Sequence, residues 1–323
     1  MFPFRKILFI ILALLALTVL SAACAPAATP APTTAPPTAA PKPTDAPKPT
    51  DVPKPTAAPA TSTPAPTAVP PTATVAAAAL PDLKGRALKV GSDTTYPPFE
   101  SINDKKEIVG FDVELVAAIC AKINCKSTFV TADFDGLLVA VQNKTYDLSV
   151  SGWTITEERA KTVDFGLPYL PNTEVMLVRA DEARFKEPED LKSGNYIVAV
   201  QLGTTNALTA KKLVADANKQ VKEFQDFPAA VQALLNKQAD AVIIDTFAAS
   251  ALLEDNKGKV KLSGKQFGNE YLGFVFRKGD KELVDAFNAG LKTAFADGTW
   301  GKLCEKWWKD ISPKPDCAWK GTK

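Results

Sequence analysis

The chain writes one pattern twice. Phe134 is followed at nine, ten and thirteen residues by Asn143, Lys144 and Asp147, and then by the β-rich run 148–151. Phe227 is followed at the same intervals by Asn236, Lys237 and Asp240, and then by the run 241–244. Each copy reads as a helix feeding a strand. The repeat sets Gly152 level with Asp245, each just past the C-terminal end of a strand, where open α/β sheets bind ligands. Two such units facing each other would bring those ends together across a cleft, so the expected class is α/β with two similar lobes.

Not all of the 323 residues can join that fold. Residues 1–23 read as a signal peptide, with Arg5 and Lys6 before an apolar run over 7–20 and then Ser21-Ala22-Ala23. The apolar run is too short to make a convincing membrane span. Cys24, directly after the small residues, resembles the lipobox of bacterial lipoproteins, although Ser21 stands where a bulky aliphatic is usual. Lipidation at Cys24 is expected; the alternative is an ordinary signal peptide followed by a stray cysteine. The rest of 24–80 is Pro, Ala and Thr, with the near repeat Pro-Lys-Pro-Thr-Asp, and has too little apolar surface to offset the entropy of folding. It reads as a semi-rigid spacer, on the order of 150 Å or more when stretched. The folded part is expected over 81–323.

Net charge is +2, so nothing points to nucleic acid, and there is no histidine. Histidine-based acid–base catalysis, Ser-His and Cys-His nucleophiles and histidine metal sites are thereby excluded. Apart from Cys24, the cysteines are Cys120, Cys125, Cys304 and Cys317, which allow three pairings. Cys120 with Cys125 and Cys304 with Cys317 is favoured, since each pair is close in sequence and an exported chain meets an oxidising compartment. Neither spacing resembles a zinc knuckle, and no metal or cofactor is expected.

Along the folded part, strands are predicted at 87–91, 127–131, 147–151, 174–179, 195–201 and 241–244, with 271–277 returning the chain to the first lobe. Helices are predicted over 111–123, from Phe134, near 202–206 and over 281–296, and Trp300, Trp307 and Trp308 beyond the last are read as core. Thr156 is a good N-cap, and Glu157 and Glu158 suit a first helical turn. Arg159 does not suit it, because a cation there faces the positive end of the helix. Either it pairs with Glu158 on the surface, or it serves a small carboxylate together with the backbone N–H groups around Thr154.

Four motifs at matching spacing carry a resemblance over about 83–310. They are Gly91-Ser92-Asp93-Thr94-Thr95-Tyr96-Pro97-Pro98-Phe99-Glu100, Gly110-Phe111-Asp112-Val113-Glu114-Leu115, Thr154-Ile155-Thr156-Glu157-Glu158-Arg159 and Ala199-Val200-Gln201-Leu202-Gly203-Thr204-Thr205. In them the chain resembles the polar amino-acid-binding proteins of ABC importers, bacterial solute-binding proteins of family 3, in a lipoprotein form. The resemblance implies a type II periplasmic-binding-protein fold, two α/β lobes joined by two crossover strands that close on the ligand by a hinge. Lobe 1 is then expected at 81–178 and 270–323, and lobe 2 at 179–269.

The resemblance also implies roles. Arg159, with backbone N–H groups near Thr154 and Thr205, would take an amino acid's carboxylate. Asp245 would take its ammonium, with Gly152 and Thr154 adding polar contacts; alone, Asp245 reads equally well as a helix N-cap. Tyr96 and Phe134 would sandwich the side chain, and Asp93 and Gln201 would face its tip. Phe134 alone reads as core. Trp153 replaces a more usual aliphatic and is expected to reshape the pocket wall. Asp93 and the neutral Gln201 favour arginine, lysine, ornithine, histidine or glutamine. The implied partners are a free polar or basic L-amino acid, an ABC permease and a lipid anchor holding a monomer to the outer face of the cell membrane, periplasmic or extracellular. Two other readings remain: the ligand-sensing head of a signalling system, and a cyclohexadienyl-dehydratase-like enzyme with Glu100, Asp93 or Lys161 as its acid.

Overall fold

A computed structural model describes residues 79–322. The expected signal peptide, Cys24 and nearly all of the spacer lie outside the described residues. The first strand, β1 (Arg86–Ser92), leads into a small sheet of β2 (Thr95–Tyr96), β3 (Glu100–Ile102) and β4 (Ile108–Val109). Then come α1 (Phe111–Ile123), β5 (Cys125–Thr131), α2 (Phe134–Gln142), β6 (Leu148–Ser149) and the short α3 (Glu157–Ala160). A long strand, β7 (Val163–Arg179), precedes β8 (Val198–Gln201), α4 (Thr205–Leu213), α5 (Ala217–Gln220) and β9 (Val221–Phe224). Next are α6 (Phe227–Leu235), β10 (Ala241–Asp245), α7 (Thr246–Asp255) and a second long strand, β11 (Val260–Arg277). Helices α8 (Lys281–Ala296) and α9 (Thr299–Trp307) finish the chain.

One eight-stranded sheet carries the molecule, in the order β5-β1-β6-β11-β7-β10-β8-β9. Read inward from either edge, the order is the same. A central strand (β1 or β8) has two parallel neighbours, β5 and β6 or β9 and β10. An antiparallel long strand follows in each half, β11 beside β6 and β7 beside β10. The long strands pair with each other, 17 and 18 residues crossing between the halves. Their ladder slips in register around Gly264 and Gly268, both at positive φ, where an added residue bends the ribbon. Two α/β lobes on a shared pair of crossover strands result.

The repeat explains how each lobe is locked. α2 and α6 stop at Asn143 and Asn236, and Lys144 and Lys237 follow in the left-handed region, at φ 65° and 60°. The reversed chain then presents an aspartate. Asp147 accepts the backbone N–H of Lys89 at 2.8 Å, and Asp240 accepts that of Ile197 at 2.8 Å. Each thus pins a helix–strand unit to the start of its lobe's central strand.

α1 buries Phe111, Leu115, Val116, Ile119 and Ile123, the expected stripe. Trp300 and Trp308 are buried and meet Phe111 edge-on, while Trp307 is half-buried. Cys120 is bonded to Cys125, tying α1 to β5, and Cys304 to Cys317, tying the C-terminal tail to α9. Among the described residues no helix is long and apolar enough to cross a membrane. Several predicted boundaries move. β7 begins at Val163 and β11 at Val260, well before the expected 174 and 271, because each runs on as a crossover strand, while β5 begins at Cys125 and β8 at Val198. β6 ends at Ser149 instead of 151, because the chain leaves the sheet to turn at Gly152 (φ 56°). α4 begins at Thr205, after Gly203 turns at φ 79° and Thr204 caps the helix by accepting the N–H of Ala207.

Candidate functional site

The C-terminal ends of β1, β6, β8 and β10 converge between the lobes on a narrow cavity. All nine residues expected at the ligand line it: Asp93, Tyr96, Phe134, Gly152, Thr154, Arg159, Gln201, Thr205 and Asp245. Ser151, Thr204, Asn206 and Phe227 join them.

Arg159 defines one side. Its backbone N–H donates to Thr156 Oγ1, the cap of α3, which fixes its place in the first turn. Its guanidinium donates to the carbonyls of Thr154 (2.9 Å) and Gly203 (3.1 Å), one in each lobe. It also lies 4.8 Å over the ring of Trp153, which stacks on Phe134 at 4.1 Å. Trp153 does not itself line the cavity: its Nε1 donates to Ser149 Oγ, and its ring backs the lining residues Phe134 and Arg159. Nor does Arg159 pair with Glu158, whose partner is Lys161. Burial brings the Arg159 guanidinium down to about 10, so it stays charged at neutral pH, with Glu270 and Asp245 nearby. The N-terminus of α4 points its dipole toward the same region from the other lobe. A guanidinium bonded to carbonyls and to no side-chain carboxylate, beside the start of a helix, makes this an anion site.

Asp245 defines the opposite polarity. It stands at the N-cap position of α7 yet makes no capping bond. Its oxygens accept instead from Tyr96 Oη (2.5 Å, across the cleft) and Asn206 Nδ2 (2.9 Å). Asn206 Nδ2 also donates to Glu174 Oε1 at 2.8 Å, and Thr154 Oγ1 donates to Glu270 Oε2 at 3.2 Å. Glu174, Asp245 and Glu270 each place a carboxylate oxygen within 4.8 Å of the others. Burial raises all three, and mutual repulsion adds to it for Glu174 and Glu270; Glu174 reaches about 8. Burial also holds the Tyr96 phenol well above its usual value, so it stays a donor.

A second acid sits apart from this cluster. Asp93 Oδ1 accepts from Thr95 Oγ1 and N (2.6 and 3.1 Å), and Oδ2 accepts from Gln201 Nε2 (2.5 Å), again across the cleft. Burial raises it too. Tyr96 is stacked on Phe99 and lies 5.7 Å from Phe227, so aromatic faces from both lobes border the cavity. Gly152 has to be glycine: a Cβ there would lie 2.5 Å from Tyr96 Cε1, at a left-handed φ. Beneath it, Ser151 Oγ donates to the buried Glu100 Oε1 and accepts the N–H of Asp93, bracing the floor.

Two α/β lobes on paired crossover strands, with a polar cavity between facing strand ends, define a cleft-closing binding protein of the type II periplasmic class. Residues 88–310 match the bacterial extracellular solute-binding proteins, family 3, and the chain belongs to that family. The ABC transporter arginine-binding protein 1 of Escherichia coli (strain K12) is 33% identical over 226 residues, covering 68% of this chain and 90% of that protein. The solved structure of an ancestral arginine-binding protein bound to arginine is 39% identical with a TM-score of 0.66, covering 69% of this chain and 98% of that one. An ancestral amino-acid-binding protein described as a precursor of cyclohexadienyl dehydratase is 37% identical with a TM-score of 0.63, covering 68% and 95%.

Sequence reasoning passed over several residues of the site. Phe227 holds the position in the second copy of the repeat that Phe134 holds in the first, so the repeat itself pointed to it. Asn206 follows the quoted Gly203-Thr204-Thr205 at a helix start. Glu174 and Glu270 carry no local signal: each lies in a strand whose register with the other long strand decides where it points.

Proposed function

We propose that the protein captures a free polar or basic L-amino acid in the interlobe cavity and delivers it to an ABC permease. The observation that carries this is one cavity holding a guanidinium and two separate acids. Arg159 with the start of α4 complements the carboxylate, Asp245 with Tyr96 and Asn206 the ammonium, and Asp93 with Gln201 a cationic or amide side-chain tip. Tyr96 and Phe134 flank the side chain between them. Arginine satisfies all three polar ends, and the arginine-binding relatives support it as the first ligand to test.

The same reading assigns lobe 1 to 81–178 and 270–323 and lobe 2 to 179–269. Cys24 carries the lipid and 24–80 is the tether that holds the head, as a monomer, off the outer face of the membrane.

A thermal-shift screen of the full chain against the twenty amino acids, ornithine and prephenate tests the reading. A ligand at a hundred times its dissociation constant adds about 2.7 kcal/mol, which raises the midpoint by roughly 5–10 °C at this size. A shift with one or a few polar or basic amino acids is expected. A shift with prephenate alone would replace binding by catalysis, and no shift at all would remove the amino-acid reading.

A further inference from the structure

One acid is enough to hold an ammonium, yet three carboxylates meet behind the cavity. Glu174 comes from β7, Asp245 from β10 and Glu270 from β11, with oxygens inside 4.8 Å of one another. Asp245 borders the cavity; Glu270 stands behind the hydroxyls of Thr154 and Thr205, and Glu174 behind Asn206 and Thr209.

Arg159 is the cation that faces this group. From β2 comes the neutral phenol of Tyr96, and from β7 the phenol of Tyr169, with the buried acids Glu100 and Asp112 beyond it. α4 presents only neutral groups, Thr205, Asn206 and Thr209. Three carboxylates so close, with one guanidinium, do not all ionise: like charges in a buried site keep a proton among them.

A second feature marks the cluster as unfinished. Asn172 is 2% exposed, with neither amide atom hydrogen-bonded. It lies in register with Glu270, two residues before Glu174, and its amide is turned to Asp245, near enough to favour the ionised carboxylate but outside hydrogen-bond geometry. A buried amide left in this way beside three acids marks an incomplete polar centre.

We infer that Glu174 and Glu270 are positioning residues for ligand selection: with Asp245 they hold a proton that the ligand's α-ammonium displaces. This rests on the amino-acid reading above. Protonated, the cluster is a poor acceptor for neutral or anionic groups, and an arriving ammonium makes ionisation of the cluster favourable. Capture then releases a proton, and affinity rises with pH until the free protein no longer holds that proton, near the value of about 8 at Glu174. Ligands without a free ammonium, N-acylated or 2-oxo acids, cannot make the exchange.

The test is calorimetry of the full chain with L-arginine, or with whichever amino acid the screen selects, at pH 7 in buffers of differing ionisation enthalpy. The slope of heat against that enthalpy counts protons. Release of between a few tenths and one proton is expected, with affinity rising up to tenfold per pH unit between 6 and 8. In E174Q, or E270Q if the first does not fold, release should fall toward zero and the pH profile flatten. Binding whose heat is independent of buffer, or with proton uptake, would overturn the inference and leave the amino-acid reading standing. Absence of any amino-acid binding would overturn both. Saturable heat from calcium chloride alone would reassign the cluster to a metal ion and overturn it as well.

Discussion

Arg159 spends two of its donors on carbonyls from opposite lobes and rests on Trp153, so its fork is aimed before any ligand arrives. Preorganisation of this kind concentrates the cost of removal in binding. Arg159→Ala is expected to fold, because neither bond is to a carboxylate that would be stranded and the cap at Thr156 uses the backbone N–H. It should weaken amino-acid binding by roughly 2–5 kcal/mol, the range for truncating one side of a charge-assisted pair. Calorimetry on protein shown folded by circular dichroism checks it; unchanged affinity would remove Arg159 from the ligand's carboxylate.

At the scale of elements, the repeated helix–strand unit was legible because its signals are local. A nine-residue helix, an asparagine stop and an aspartate at a fixed interval need no knowledge of the rest of the chain. The convergence of Gly152 with Asp245 followed from the same spacing, and Arg159 stood out separately, as a cation in the first turn after the Thr156 cap. The acidic cluster was not legible, since Glu174 and Glu270 meet only through the β7/β11 register and its slips. The side to which Trp153 turns was not legible for a related reason: a residue next to Gly152 can turn either way, and the hydrogen bond from its ring to Ser149 decides which. The unit carries its own prediction. Lys144 and Lys237 sit at φ 65° and 60°, where an L-residue costs about 1–2 kcal/mol and glycine does not. Glycine's greater freedom in the unfolded chain takes back part of that gain. Lys144→Gly and Lys237→Gly should therefore each stabilise by a few tenths to about 1 kcal/mol. Thermal melts would show it as a rise of up to about 4 °C, and a fall for both would mean that the stop signal lies elsewhere.

For the whole molecule, buried carboxyls set the response to pH. Burial raises Glu174 from its ordinary 4.5 to about 8 and Asp112 from 3.8 to about 7, and Glu100, Asp93, Asp245 and Glu270 are raised as well. The unfolded chain gives up these protons near pH 4, whereas the folded one keeps them to higher pH, to about 7 at Asp112 and about 8 at Glu174. Between those limits the unfolded state binds fewer protons, so stability falls as pH rises. An opposite group of carboxyls is lowered, among them Asp82, Asp190 and Asp216, which accept hydrogen bonds at the surface. Arg184 holds Glu182 near 2, and Lys122 holds Asp297 near 2, so their stabilisation is complete above about pH 4.5 and is lost only as pH falls toward 2. Ligand-free protein should thus be most stable near pH 5 and melt several degrees lower at pH 8, since each unit of elevation removes about 1.4 kcal/mol across its window. A bound amino acid supplies an ammonium that makes ionised Asp245 favourable, so its stabilising shift should be larger at pH 8 than at pH 5. Melts at both pH values, with and without ligand, separate the two effects. A ligand-free midpoint that rises from pH 5 to 8 would mean that these carboxyls ionise freely in the folded protein, and the polar centre between the lobes would then be solvated instead of sealed.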